Sequence, residues 1–213
     1  MKATAILPVK RFAAAKRRLA GGIDDARREA LVAAMLADVL EAIGAARSIE
    51  RTIVVSDEPL AAELAREAGA EVVADPPEEG HSEAALAGIA RAEALGAGCA
   101  MLLPGDCPLL EPRELDRVLT GTPERYVAIV PDRHGAGTNA LVLSPPDAIR
   151  PAFGEGSRAR HVAAAREVGI PFSVEELPSL ALDLDTPADL VALTRELEMR
   201  RGRARRTAKA LGI

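Results

Sequence analysis

Ala3-Thr4-Ala5-Ile6-Leu7-Pro8-Val9 opens the chain with a nearly unbroken apolar run. A strand with one face in water alternates apolar and polar residues, so this run reads as a strand buried on both faces. Such strands belong to parallel sheets whose crossover helices cover both sides, and the following chain has that rhythm. Asp24 or Asp25 can cap a helix reaching about Ala46, in which Leu31, Met35, Val39 and Ile43 recur every four residues and Val32, Leu36 and Leu40 widen the stripe. Thr52–Val55 is a second strand, Pro59–Ala68 a helix closed by Gly69, and Val72-Val73 a short third strand ending in Asp75-Pro76-Pro77. Ser82 can cap a helix to Leu95, stopped by Gly96, and Cys99–Leu103 is the next strand, broken by Pro104-Gly105-Asp106. The expectation is an α/β domain with a mainly parallel sheet. Its ligands should bind beyond the carboxyl ends of the strands, where Lys10, Ser56 and Asp106 fall.

The second half is less regular. Val127–Val130 and Ala140–Leu143 read as strands around the glycine-bearing segment Asp132–Asn139, too far apart for a two-residue hairpin. Ser157 can cap a helix to about Val168, and a last helix starts at Pro187 with Thr186 as its cap. No repeat or linker divides the chain. Residues 1–195 are read as one domain and 196–213 as a basic tail, either a solvated helix end or disordered.

Composition narrows the function classes. At 213 residues the chain suits one well-buried domain, against a usual ~100–200 residues per domain. A net charge of −5 and 2% aromatic residues argue against a nucleic-acid surface built on phosphate neutralisation and base stacking. Two cysteines, Cys99 and Cys107, support neither a disulfide framework nor a zinc site. No apolar stretch nears the ~20 residues that span a bilayer, and no secretory leader follows Met1, so the protein is expected in the cytoplasm.

Three constellations can carry chemistry. Lys10, Arg11, Lys16, Arg17 and Arg18 follow the first strand; they are either a solvated basic turn or a triphosphate site. Asp106, delivered by a buried strand into the Pro104-Gly105-Asp106-Cys107-Pro108 turn, is either a cap or a ligand for a hard cation such as Mg²⁺, with Gly105 allowing close approach. Asp183 and Asp185 in Leu182-Asp183-Leu184-Asp185 fall on one face if that segment is a strand, which is expensive unless a cation sits between them. Third, Gly137-Thr138-Asn139 with Phe153-Gly154-Glu155-Gly156-Ser157 is either ordinary turn chemistry or an anion cradle at a helix start. His81, His134 and His161 show no metal-ligand spacing and read as surface or local polar contacts.

Taken together and in order, Pro8-Val9-Lys10, Ala15–Leu19, Gly105-Asp106-Cys107-Pro108, Gly137-Thr138-Asn139, Phe153-Gly154-x-Gly156-Ser157 and Asp183-Leu184-Asp185-Thr186-Pro187-x-Asp189-Leu190 resemble the 2-phospho-L-lactate/phosphoenolpyruvate guanylyltransferases of coenzyme F(420) biosynthesis. The resemblance spans nearly the whole chain. It implies a single-domain, three-layer, Rossmann-like nucleotidyltransferase fold related to the molybdenum-cofactor guanylyltransferases. It further implies GTP as co-substrate, Mg²⁺ as cofactor and pyrophosphate as by-product. Carried over residue by residue, it implies Asp106 and Asp185 as magnesium ligands with Asp183 a neighbouring candidate. Lys10, Lys16 and Arg18 fit the triphosphate loop, with Gly80, Glu83 and Gly105 framing the nucleotide. Asp106, Lys16 and Arg18 would be catalytic, and Thr138, Gly154 and Ser157 would bind the phosphorylated acid. Arg17 stands where the family often has Ser or Thr, and Glu83 where it often has Asn.

Phosphoenolpyruvate is the first-choice acceptor, ahead of 2-phospho-L-lactate and 3-phosphoglycerate. More distant alternatives are a molybdopterin or sugar-phosphate acceptor, or a non-catalytic GTP-binding protein. The sequence leaves the oligomeric state open, a homodimer included.

Overall fold

The computed structural model describes residues 2–12, 24–77, 80–200 and 202–213. Lys16, Arg17 and Arg18 lie outside the described residues.

Seven strands, β1 (Ala3–Pro8), β2 (Ile49–Val55), β3 (Glu71–Val73), β4 (Ala100–Leu102), β5 (Tyr126–Pro131), β6 (Thr138–Ser144) and β7 (Phe172–Val174), form one sheet in the order β3-β2-β1-β4-β6-β5-β7. β1 pairs in parallel with β2 and β4, and β5 with β7, while β6 runs antiparallel between β4 and β5. The mainly parallel mixed sheet is therefore as expected. Strand order reverses at β1/β4, and sheets of this kind bind ligands at that crevice.

Alternation along the strands feeds two cores. Ala3, Ala5 and Leu7 of β1 and Met101 of β4 face the layer formed by α1 (Asp25–Ala45), α2 (Pro59–Glu67), α4 (Pro112–Leu119), α6 (Pro187–Met199) and α7 (Arg205–Leu211). Ile6, Ala100 and Leu102 face the opposite layer, α3 (His81–Ala94) and α5 (Ser157–Glu167). α3 lies so close to β1 that a Cβ at Gly88 would overlap Ile6 Cγ2, so only glycine fits there.

Local chemistry explains the helix starts. Asp24 caps α1 by accepting the Arg27 N–H at 2.9 Å. Thr186 and Asp189 form a reciprocal capping box under Pro187 at the start of α6. Two expected caps are corrected. Gly80 and Gly156, not Ser82 and Ser157, occupy the cap positions of α3 and α5, and each serine sits just inside its helix.

Three further corrections apply. Leu182–Asp185 is not a strand, although Leu184 is still buried in the first core. α4, β7 and a single 3-10 turn at Pro178–Leu180 were not foreseen. The boundary at 195/196 falls inside α6, and the basic tail folds back as α7 against α1. Asp38 of α1 draws it in: one carboxylate oxygen accepts from both the N–H and the hydroxyl of Thr207, at 2.8 and 2.7 Å. Among the described residues no helix is long and apolar enough to cross a membrane.

Candidate active site

Two adjoining recesses of about 230 and 280 Å³ open at the β1/β4 switch point. The first is bounded by Pro8, Val9 and Lys10 at the carboxyl end of β1, by Val32 and Leu36 of α1, and by Gly105. The second is bounded by Gly137, Thr138 and Asn139 at the head of β6, by Phe153, Gly154 and Ser157, and by Asp183. His81, Pro104, Asp106 and Asp185 belong to both. Asp106 and Asp185 therefore stand on the wall between them. A larger recess of about 630 Å³ lies between α1 and α4, but its acids are committed: Glu111 pairs with Arg203, and Asp116 accepts the Ser48 N–H at 2.8 Å.

Each acid has its own support. Asp106 sits in the turn just beyond β4. Asp185 owes its place to Asp189, whose Oδ2 accepts from the Asp185 N–H at 3.0 Å, the Thr186 N–H at 2.6 Å and the Thr186 hydroxyl at 2.8 Å. Asp189 is itself nearly buried and paired with Arg133. Burial works against its charge, but these hydrogen bonds and Arg133 together hold its carboxyl below the usual range. Asn139 Nδ2 spans the Leu180 carbonyl at 2.6 Å and Asp183 Oδ1 at 3.4 Å. Burial, then the neighbouring Asp106 and Asp185 charges, push the Asp183 carboxyl up. Three like charges thus converge where water is partly excluded.

That donor set fits a hard divalent cation, since magnesium commonly takes one or two carboxylates and completes its shell with substrate phosphates and water. Among the described residues no three His, Cys, Asp or Glu side chains stand ready to hold a metal without such help.

The 150–157 loop is clamped from behind. The Arg160 guanidinium donates to the carbonyls of Ala152, Phe153 and Glu155, which ties the loop to the first turns of α5. Gly154 and Gly156 take φ of 103° and 70°, a backbone that side chains with a Cβ rarely adopt. Ser157 is buried at the head of α5. Thr138 is nearly buried, and its hydroxyl lies 3.0 Å from His161 Nδ1. At the neighbouring turn, a Cβ on Gly137 would come within 2.6 Å of Asp132 Oδ2, so a side chain there would have to displace that carboxylate.

The remaining expected residues divide. Lys10 borders the first recess, where both oxygens of Asp75 accept from its ammonium at 3.0 and 2.7 Å. Gly80 caps α3, and His81 of that first turn lines both recesses. Glu83 lines neither; it pairs with Arg150 at 2.8 Å. Ser56 is buried, and its hydroxyl accepts the Glu58 N–H at 3.0 Å, a structural task. Asp75, Asp189, Arg160 and His161 were not singled out from the sequence as parts of a site. Only Asp189 had a local signal, as the third residue past a Thr-Pro helix start.

A family profile described as "Guanylyl transferase CofC like" matches residues 3–207. The phosphoenolpyruvate guanylyltransferase of Conexibacter woesei is 47% identical over 209 residues, covering 97% of this chain and 94% of its own. That of Sphaerobacter thermophilus is 42% identical, with 91% and 93% covered. Among solved structures, a Desulfovibrio desulfuricans G20 protein assigned as a nucleotide-diphospho-sugar transferase superposes with a TM-score of 0.76 at 18% identity, covering 99% of this chain and 94% of that one. A likeness at that identity is one of fold.

Proposed function

The chain belongs to the CofC-like guanylyl transferase family, and from that premise we propose that it transfers GMP from GTP to phosphoenolpyruvate, releasing pyrophosphate and forming enolpyruvyl-2-diphospho-5'-guanosine, a step of coenzyme F(420) biosynthesis. One observation carries this reading: the two recesses share Asp106 and Asp185. A reaction that joins two phosphate-bearing molecules needs two sites meeting at a charge-neutralising centre, and a simple binder needs only one.

The nucleotide takes the first recess, its phosphates running past Lys10; Lys16 and Arg18, outside the described residues, are further candidates to pair with them. The phosphorylated acid takes the second, held by Thr138, Ser157 and the Gly154 turn. Asp106 and Asp185, with Asp183 beside them, would hold magnesium, which supplies positive charge between the two phosphate groups.

An acceptor oxygen then attacks the α-phosphorus in line, and the bond from that phosphorus to the bridging oxygen of pyrophosphate breaks. The acceptor phosphate has a second pKa near ~6, so at neutral pH it is mostly a dianion and needs no general base. The chain's share of catalysis is orientation and electrostatics.

A panel of phosphoenolpyruvate, 2-phospho-L-lactate and 3-phosphoglycerate with GTP, read by product mass, tests the acceptor. The reading expects phosphoenolpyruvate to give the highest kcat/KM; a clear preference for another acid would overturn that assignment.

A further inference from the structure

Of the three histidines, only His161 is wholly buried. Its ring bridges the two segments that form the second recess. On one side, Nε2 accepts the Ala152 N–H at 2.9 Å. A backbone amide can only donate, so Nε2 bears no hydrogen, and the neutral ring carries its proton on Nδ1. On the other side, Nδ1 lies 3.0 Å from Thr138 Oγ1. The ring N–H therefore donates and the hydroxyl oxygen accepts. The ring stays neutral at working pH, because burial, and then the Arg160 charge, lower its pKa from 6.5 to about 4. Phe153 meets it edge-on at 5.4 Å and holds its plane.

The Thr138 hydroxyl hydrogen must then point away from His161, and its side chain borders the recess. We propose that His161 is a positioning residue that fixes the Thr138 hydroxyl as a donor into the second recess, so that Thr138 binds an anionic oxygen of the phosphorylated acid. This rests on reading the second recess as the acceptor site. A free threonine hydroxyl can turn its hydrogen in any staggered direction; one whose oxygen accepts from a ring N–H must turn its hydrogen to a different partner.

Two substitutions separate the ring's two contacts. His161→Asn puts an amide N–H near the Nδ1 position, which preserves the bond to Thr138. His161→Gln reaches the Nε2 position, which preserves only the acceptor for the Ala152 N–H. The expected result is an acceptor KM within about threefold of wild type for His161→Asn and raised about tenfold for His161→Gln, a loss of the size expected for one hydrogen bond to a charged group. The KM for GTP and the kcat at saturating acceptor should stay near wild type in both. In a Thr138→Val background, His161→Gln should add nothing further. Equal shifts in the two variants, or a shift that persists in that background, would overturn the proposal.

Nitrogen-15 NMR of the wild-type ring tests the same point without turnover. It should find the proton on Nδ1, and a proton on Nε2 would refute the proposal. Absence of turnover with every acid in the panel would instead sink the functional reading and leave this spectrum to decide the role of His161.

Discussion

The two recesses meet at Asp106 and Asp185 but are built on opposite electrostatic plans. In the second recess, polar groups satisfy one another: the Arg160 guanidinium takes the loop carbonyls, Ala152 and Thr138 take the two His161 nitrogens, and two glycines turn the backbone. On the shared wall, like charges are held together against their repulsion, and the Asp183 carboxyl is pushed up as a result. The first plan leaves the backbone and ring contacts of that recess already made. The second holds an arrangement costly in itself, a cost that a bound cation would relieve.

The contrast breaks most sharply at Asp106. Asp106→Asn is expected to lower kcat by on the order of 10³-fold or more while keeping the fold, as for loss of a charge-stabilising group at a reacting centre. Near-normal pyrophosphate release from a folded variant would remove Asp106 from the chemistry. On the cradle side, Thr138→Val should raise the acceptor KM by ~10–100-fold, the size of one hydrogen bond to a charged group, with the KM for GTP nearly unchanged. Steady-state kinetics with each substrate varied in turn checks both.

Asp183→Asn tests the stored repulsion itself. It keeps an oxygen for the Asn139 amide and removes one of three crowded charges. The metal-free variant should melt ~2–4 °C above wild type, equivalent to ~1 kcal/mol in a domain of this size, while turning over more slowly. A lower melting temperature would contradict the account.

The remaining effect concerns pH. As pH falls, an unfolded chain protonates His161 near its ordinary 6.5, whereas the folded ring resists until about 4. The unfolded state thus binds more protons in that window, and stability is lost progressively as pH drops from 6.5 to about 4. Melting curves of wild type and His161→Asn across that range should converge as pH falls, because only wild type loses this contribution.

How much of this was legible follows from the range of each signal. α1 announced itself through a four-residue apolar recurrence, and α6 through Thr186-Pro187 with Asp189, because helix caps are local chemistry. Leu182–Asp185 misled for a physical reason. Alternating Leu and Asp describes a strand, but it equally describes an extended segment that drops Leu184 into the core and leaves both acids on the recess side. α4 escaped notice because it is short: eight residues whose buried stripe is the single pair Leu115 and Leu119. Lys10 was foreseen at the site, but its partner Asp75 is 65 residues away. His161 could not be read as more than a local polar contact. Its meaning depends on Ala152 and Thr138, 9 and 23 residues away, and on which ring nitrogen each one meets.

Phosphorus NMR of the wild-type enzyme with GTP, phosphoenolpyruvate and magnesium tests the central claim most directly. If the two recesses bring an acceptor phosphate to the α-phosphorus of the nucleotide, one new coupled pair of diphosphate resonances should grow in step with free pyrophosphate. Appearance of GDP with orthophosphate, or an unchanged spectrum, would show that no guanylyl group is transferred at this wall.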